Sequence, residues 1–232
     1  MCGRFNMTAD PLARLFQLLG GADFPGPDRL NVAPTEQVPV VFAGEGVRAV
    51  AEMRWWLVPH WAKEATTRYA MFNARAETLE KSNAFRASFA HRRCVVPVTG
   101  FFEWLRGADG RKVPHYVVAA GGGGLCLAGL WDRWEGDGEH LESFTVVTTD
   151  AAPALRWLHD RQPALLAAED AERWLAEDTP RETLRALLAP ELPGPVDVYP
   201  MDPAMNNARD KGAACLRPTG EPRHLEPGDE TD

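Results

Sequence analysis

Two nucleophilic groups meet at the start of the chain, which reads Met1-Cys2-Gly3-Arg4-Phe5. Removal of Met1 would leave Cys2 with its thiol and a free α-amine on the same carbon atom. In peptides these two groups titrate at about pH 8.5 and about pH 8, so both react near neutral pH. The amine can form a Schiff base with an aldehyde, and the thiol can then close a thiazolidine ring. Alternatively, the thiol attacks an acyl group with the amine as its base. The alternative is that Cys2 is an ordinary small residue near the terminus, without a chemical role.

Three further segments place polar side chains in apolar or tightly turned surroundings. The side chains are Asn73 and Arg75, then Glu103, then His159 with Arg161. A carboxylate among aromatic residues, as Glu103 is, suits proton transfer. Alternatively, Glu103 forms an ion pair in the core, and His159 interacts with the dipole at the C-terminus of a helix.

The charge of the chain is distributed unevenly. The net charge is −8, which by itself disfavours a nucleic-acid partner. Residues 1–115 nevertheless hold 15 Lys and Arg against 11 Asp and Glu, whereas residues 116–232 hold 10 against 22. A local basic face built from the first half is therefore compatible with the composition. Residues 54–61 combine arginine with three tryptophans, which suit a core or a platform for bases.

Composition also restricts the class of protein. The 232 residues are 45% hydrophobic, enough for one well-packed domain. No apolar run reaches about 18 residues and no leader precedes the first motif, so we expect neither a membrane span nor a signal peptide. The four cysteines are widely spaced and lack metal-ligand spacing, which disfavours zinc and disulfides and fits the cytoplasm. The glycines at 121–124 lack the Lys-Ser/Thr of a phosphate-binding loop.

The elements that must position these residues are short strands with helices between them. A first helix is predicted from an Asp10 cap to Gly20-Gly21, with Leu12, Phe16 and Leu19 on its apolar face. Further helices are predicted at 82–91, 150–158 and 169–176, and after a capping box at 179–182. Strands are predicted at 38–42, 47–53, 94–98, 113–119, 125–130, 144–148 and 196–199, with a turn at 43–46. This pattern indicates an α+β fold with mainly antiparallel sheets and peripheral helices. The domain is expected to span 1–217, followed by an acidic, disordered tail at 218–232.

Taken together, the motifs resemble those of one family, the SOS-response-associated peptidase (SRAP) family of abasic-site processing proteins. The resemblance runs in order along nearly the whole chain. The matching segments are residues 1–5, 31–34, 54–55, 73–78, 93–97, 100–104, 128–131, 148–149, 159–161 and 206–209.

This resemblance implies a covalent DNA–protein crosslinker. Family members bind single-stranded DNA that contains an abasic site and join its ring-opened aldehyde to the N-terminal cysteine as a thiazolidine. By motif, Cys2 is the nucleophile, Asn73 holds the reacting terminus, and Arg75 binds a phosphate. Glu103 moves protons at the amine and thiol, and His159 acts at the sugar hydroxyl. Weaker candidates for DNA contacts are Arg4, Trp55, Arg161 and Arg209.

The resemblance also sets expectations about partners and alternatives. We expect a monomer without cofactor or metal, located in the cytoplasm and associated with the nucleoid when bound to DNA. The family name keeps peptidase activity open, including self-removal of Met1. Trp56, Gln162 and Met201-Asp202 depart from the family pattern, which affects details of the DNA groove. The alternative functions are an N-terminal-nucleophile peptidase or amidotransferase, and a non-catalytic single-stranded-DNA binding module.

Overall fold

The computed structural model describes residues 2–21, 23–44, 47–107, 110–136, 138–212 and 216–230. The predicted turn at 43–46 therefore lies partly outside the described residues, as do Met1 and Cys215. The helices are α1 (Ala9–Gly20), α2 (Arg86–His91), α3 (Ala168–Leu175) and α4 (Arg181–Ala186). The strands are β1 (Arg4–Met7), β2 (Arg29–Val32), β3 (Gln37–Gly44), β4 (Val47–Trp55), β5 (Asn73–Arg75), β6 (Arg93–Val98), β7 (Gly100–Arg106), β8 (Lys112–Ala119), β9 (Leu125–Gly136), β10 (Glu139–Asp150), β11 (Arg161–Pro163), β12 (Leu165–Leu166), β13 (Val196–Pro200) and β14 (Arg223–Leu225).

The strands form two sheets. The first has six antiparallel strands in the order β14-β13-β8-β7-β1-β2. The second has eight strands, and pairing of β10 with β9 closes β4, β3, β6, β9 and β10 into a ring. Two short parallel pairings, β10 with β4 and β10 with β5, are the departures from antiparallel order. The predicted α+β class, with mainly antiparallel sheets in a single domain, is confirmed.

Helix α1 follows the predicted pattern with a different cap. Leu12, Phe16 and Leu19 are its buried residues, and Gly21 ends it with a left-handed φ of 63°. Asp10 lies inside the first turn rather than at the cap. The carboxylate of Asp28 instead accepts a 2.7 Å hydrogen bond from the amide of Ala9. A side chain from the following loop therefore does the capping, which local spacing does not reveal.

Three other predicted elements differ from the structure. The helix expected at 150–158 is only a 3₁₀ turn at Pro153–Leu155. The capping box at 179–182 is wrong, because Pro180 is the N-cap of α4 and Thr179 donates its hydroxyl to the carbonyl of Arg173. The helix expected from Ser82 begins at Arg86. Each is a short segment in which tertiary contacts outweigh local preference.

The C-terminal tail also differs from its expected disorder. Arg223–Leu225 pairs with β13 as the edge strand β14, and Leu225 is buried. Leu225, on the inward-facing side of the strand, anchors this acidic segment to the sheet. The acidic composition of the segment does not reveal this anchor. Among the described residues, no helix has the length and apolar character that crossing a bilayer requires.

Candidate active site

The side chains predicted to carry chemistry converge beside β1 and β7, two interior strands of the six-stranded sheet. Antiparallel pairing of Arg4 with Phe102 brings Cys2 and Gly3 alongside Glu103. His159 reaches the same place from the loop before β11. Beside them lies an open cavity of about 440 Å³. Its lining consists of Gly3, Phe72, Glu103, Trp104, Arg106, Lys112, Leu158 and His159.

Cys2 is enclosed within this structure. It has no exposed surface, and its Sγ lies 3.9 Å from the carbonyl oxygen of Arg4. Burial, and secondarily the charge of Glu103, raises the pKa of the Cys2 thiol to about 12. The thiol is therefore neutral at physiological pH, in contrast to the partly ionised thiol of a free peptide.

Asn73 connects β5 to the Cys2 backbone. Its Nδ2 donates a 2.7 Å hydrogen bond to the carbonyl oxygen of Cys2. β5 is held in place by parallel pairing with β10, in which Asn73 lies opposite Val146. The Oδ1 atom of Asn73 is buried and has no hydrogen-bond partner among the described residues. The site therefore contains an unused acceptor close to Cys2.

Glu103 supplies a buried carboxylate. The residue is only 5% exposed, and its Oε1 accepts a 3.1 Å hydrogen bond from the amide of Trp104. The same oxygen lies 4.0 Å from Nε2 of His159. A carboxylate and an imidazole at this separation can both reach one group placed between them.

Two neighbours compete for the Nδ1 atom of His159. It lies 2.9 Å from the backbone nitrogen of Arg161 and 2.7 Å from the carboxylate of Asp160. An N–H can only donate, so a neutral ring that accepts from Arg161 carries its hydrogen on Nε2. We favour this tautomer because the amide is fixed by the backbone whereas Asp160 is 86% exposed. The N–H of Nε2 then faces Glu103.

Two of the predicted DNA-contacting arginines have different surroundings. Arg75 is exposed at the end of β5, where a guanidinium can meet a phosphate. The Arg161 guanidinium lies 2.7 Å from Glu77 and 2.6 Å from Asp150, and donates to the carbonyl of Thr148. A phosphate would have to compete with two carboxylates for Arg161.

The remaining candidates are held by other parts of the fold. Arg4 donates to Asn31 at 2.7 Å and lies over the ring of Trp104 at 5.9 Å. Arg209 is exposed on the segment that Asn31 fastens through three backbone carbonyls. Trp55 is fully buried, so it presents no face to a base in this structure. Its Nε1 donates to the carbonyl of Phe72 at 2.8 Å, and the ring thereby supports the residue before Asn73.

Sequence reasoning missed two basic side chains at the cavity. Arg106 and Lys112 lie opposite each other on β7 and β8 and line the same cavity as Glu103. The hairpin pattern could have indicated both residues, because cross-strand partners such as Arg106 and Lys112 share a face of the sheet. The described residues hold no cluster of three or more His, Cys, Asp or Glu side chains suited to a metal ion.

Comparison with known proteins defines the class of protein to which this fold and site belong. The model of the SOS response associated peptidase (SRAP) family matches residues 1–208. The chain therefore belongs to this family. It is 30% identical over 223 residues to the abasic site processing protein YoaM of Bacillus subtilis, covering 93% of this chain and 97% of YoaM.

Further comparisons show similarity in sequence and in fold. The chain is 31% identical over 220 residues to the abasic site processing protein HMCES of Xenopus tropicalis, covering 80% of this chain and 64% of HMCES. A crystal structure of a Bacteroides thetaiotaomicron protein has the same fold, with a TM-score of 0.81 at 23% identity over 94% of this chain and 100% of that one. A phage-related protein of Bordetella bronchiseptica has a TM-score of 0.68 at 27% identity, covering 86% of this chain and 94% of its own.

Proposed function

We propose that this protein processes abasic sites in single-stranded DNA by forming a covalent thiazolidine crosslink through Cys2 after removal of Met1. The observation that carries the proposal is the meeting of Cys2 and Asn73 with the Glu103–His159 pair beside an open cavity. These groups supply a nucleophile, a clamp on its backbone, and two proton-transfer groups. The relatives named abasic site processing proteins add support for the substrate.

The first step is attack by the Cys2 amine on the aldehyde of the ring-opened sugar. The closed sugar opens when its hydroxyl proton leaves and its ring oxygen gains a proton, and we assign the donation of that proton to the N–H of His159 Nε2. Nitrogen then bonds to the aldehyde carbon, and loss of water yields a Schiff base. Glu103, 4.0 Å from His159, can accept and return the protons.

The second step closes the ring. The Cys2 sulfur bonds to the Schiff-base carbon, and the thiol hydrogen is transferred to the nitrogen, so no oxidant or cofactor is needed. The raised pKa of the buried thiol means that this hydrogen must be taken up as the bond forms. Glu103 is the carboxylate beside the thiol, and we assign this transfer to it. Reversal of the same steps would release the DNA.

DNA binding rests on exposed cations at the cavity and at the end of β5. Arg75 stands at the end of β5, and Arg106 and Lys112 line the cavity itself. In a single strand an unpaired sugar can enter the cavity without the cost of opening a duplex. A local group of basic side chains is compatible with the overall charge of −8.

The decisive experiment mixes the purified protein with single-stranded DNA carrying one abasic site. We expect a heat- and detergent-resistant adduct that forms far better than with intact DNA. Mass spectrometry of the active protein should show loss of Met1, because an amide nitrogen cannot form a Schiff base. Absence of an adduct with correctly processed protein would refute the crosslinker function.

A matched pair of tagged proteins tests the terminus. A protein with an N-terminal tag should be inert until cleavage exposes Cys2, whereas a C-terminal tag should leave crosslinking unchanged. Full crosslinking with an intact N-terminal tag would contradict the mechanism. Equal affinity for intact and abasic strands without a covalent product would favour a DNA-binding module, and peptide-bond hydrolysis in added substrates would favour a peptidase.

A further inference from the structure

The family match ends at residue 208, yet the structure continues with an ordered segment that packs onto the fold. We call residues 218–230 the C-terminal strap. Its strand β14 pairs with β13 through Val196 with Leu225, Asp197 with His224, and Val198 with Arg223. Leu225 is 3% exposed. The strap is therefore part of the fold of this chain and lies beyond the residues that the family model matches.

Hydrogen bonds and ion pairs hold the strap in place along its length. At its start, the amide of Thr219 donates to the carbonyl of Pro200 at 2.8 Å. Beyond β14, the amide of Glu226 donates to the carboxylate of Asp229 at 2.8 Å, which closes a turn. His224 lies 2.8 Å from Asp197 and 3.2 Å from Glu226. Pairing and side-chain contacts thus fix the position of Arg223.

The strap contacts the segment that leads into His159. The Arg223 guanidinium lies over the ring of Trp157 at 5.0 Å from the ring centroid, within the range of a cation–π interaction. Trp157 is two residues before His159. Pro227 and Gly228 lie around the same groove as Ala152, Pro153 and Ala154, where the connection to His159 begins. The strap therefore flanks this connection at two points.

Arg223 also lies on the face of the sheet that carries Glu103. Arg223 pairs with Val198, Val198 with Val117, and Val117 with Phe101. Glu103 is two residues from Phe101, and alternate residues of a strand share a face.

His115 completes the path from the strap to the carboxylate. It lies directly opposite Glu103 and makes an edge contact with Trp157, at 5.5 Å between ring centroids and 85° between planes. Trp157 thus contacts both Arg223 and the cross-strand partner of Glu103.

We propose that Arg223 is a positioning residue for the Glu103–His159 pair. Arg223 holds the Trp157 ring against His115, and this fixes the turn that sets His159 at its distance from Glu103. The inference rests on the proposed function, since it assigns Arg223 an effect on the crosslinking step. It predicts that the strap affects the rate at which bound DNA is crosslinked and does not affect the affinity for DNA.

Single-turnover crosslinking at saturating abasic DNA tests this role. Arg223→Ala should lower the rate by about 2- to 30-fold, the range that a cation–π contact covers. The dissociation constant for intact single-stranded DNA should stay unchanged. Arg223→Lys should restore most of the rate because an ammonium can also lie over the ring. The matched control is Arg217→Ala, which removes an exposed arginine just before the strap and should leave the rate unchanged.

Nitrogen NMR of ¹⁵N-histidine-labelled protein gives a readout independent of crosslinking. Wild-type His159 should show one neutral tautomer with hydrogen on Nε2, and Arg223→Ala should show a mixture. An unchanged tautomer together with an unchanged rate in Arg223→Ala would overturn the positioning role. Weaker DNA binding with an unchanged saturating rate would also overturn it, because Arg223 would then be a phosphate contact. Absence of any adduct from the wild type would instead refute the crosslinker function. The His159 tautomer in wild type and Arg223→Ala would still test the role of Arg223.

Discussion

Asn73 donates a 2.7 Å hydrogen bond from its side-chain amide to the backbone carbonyl of Cys2. This bond joins the start of the chain to β5, which is itself anchored on β10. The same side chain leaves Oδ1 buried without a partner among the described residues. In the proposed reaction, an N–H of the Cys2 terminus or of the thiazolidine would satisfy that acceptor. Asn73 holds the Cys2 backbone, and we expect it also to stabilise the proposed product.

Cys2→Ala should abolish the stable adduct while keeping a free α-amine once Met1 is removed. The amine can still form a Schiff base, but no sulfur is present to close the ring. Borohydride should therefore trap a reduced adduct, detected as a shifted band on a denaturing gel. A stable adduct from Cys2→Ala without reductant would show that thiazolidine closure is not the locking step.

Asn73→Ala should slow the chemistry of bound DNA. The loss of one buried hydrogen bond, at about 1–3 kcal/mol, corresponds to a fall of about 5- to 150-fold in the saturating rate. DNA affinity should be unchanged, because the bond is made to the protein backbone. Stopped single-turnover reactions measure the rate, and fluorescence anisotropy with intact DNA measures the affinity.

Arg75→Ala should instead weaken binding. Removing one phosphate contact to a single strand should reduce the slope of log affinity against log salt by about 0.7. Anisotropy titrations at several salt concentrations measure this slope, with Arg14→Ala on the exposed side of α1 as the matched control. Equal losses of affinity in Arg75→Ala and Asn73→Ala would contradict the separate roles.

Glu103→Gln and His159→Ala should slow adduct formation or reversal by about 10²- to 10⁴-fold, as expected for proton-transfer groups. Both proteins should remain folded. Thermal unfolding followed by circular dichroism checks the fold, and gel assays in both directions give the rates. Normal rates in both variants, or unfolding of both, would make these residues structural.

Stability should fall in alkaline solution because the described thiols are buried. Burial raises the pKa of Cys2 and Cys126 to about 12, and raises that of Cys94 strongly. Unfolded thiols ionise at about pH 8.5, so between about pH 8.5 and about pH 12 the unfolded state binds fewer protons. Each thiol then lowers the free energy of unfolding by up to about 1.4 kcal/mol per pH unit.

Urea denaturation at pH 7 and pH 10 measures this effect. Cys126→Ala should show a smaller fall between the two pH values, since it removes one of the titrating groups. An identical fall in this variant and in the wild type would mean that other groups cause the alkaline loss.

Much of the fold followed from local pattern. The apolar spacing of α1 and the alternation in β3, β8 and β13 depend on nearest neighbours, and these elements were predicted within a few residues. The cap from Asp28 and the strap depend on partners far away in the chain. Composition alone could not reveal that Leu225 finds a buried position.

In the candidate site, too, local sequence predicted some features, whereas others depend on residues far away in the chain. Motifs placed Cys2, Asn73, Glu103 and His159 on the list, and the structure brings them together. The resemblance makes Trp55 a weaker candidate for a DNA contact, whereas the fold buries it, with its Nε1 donating to the carbonyl of Phe72. The carboxylates around Arg161 could not be foreseen, since Glu77 and Asp150 come from segments far apart in sequence.

The pairing of β1 with β7 also has a kinetic consequence. Arg4 and Phe102 are remote in sequence, so bringing them together closes a long loop with a large entropic cost and few local contacts to offset it. β1 should therefore dock late in folding, after the β7–β8 hairpin has formed from its own neighbours. Until β1 docks, Cys2 remains in solvent. The hairpins of the sheet can therefore form before Cys2 reaches its place in the candidate site.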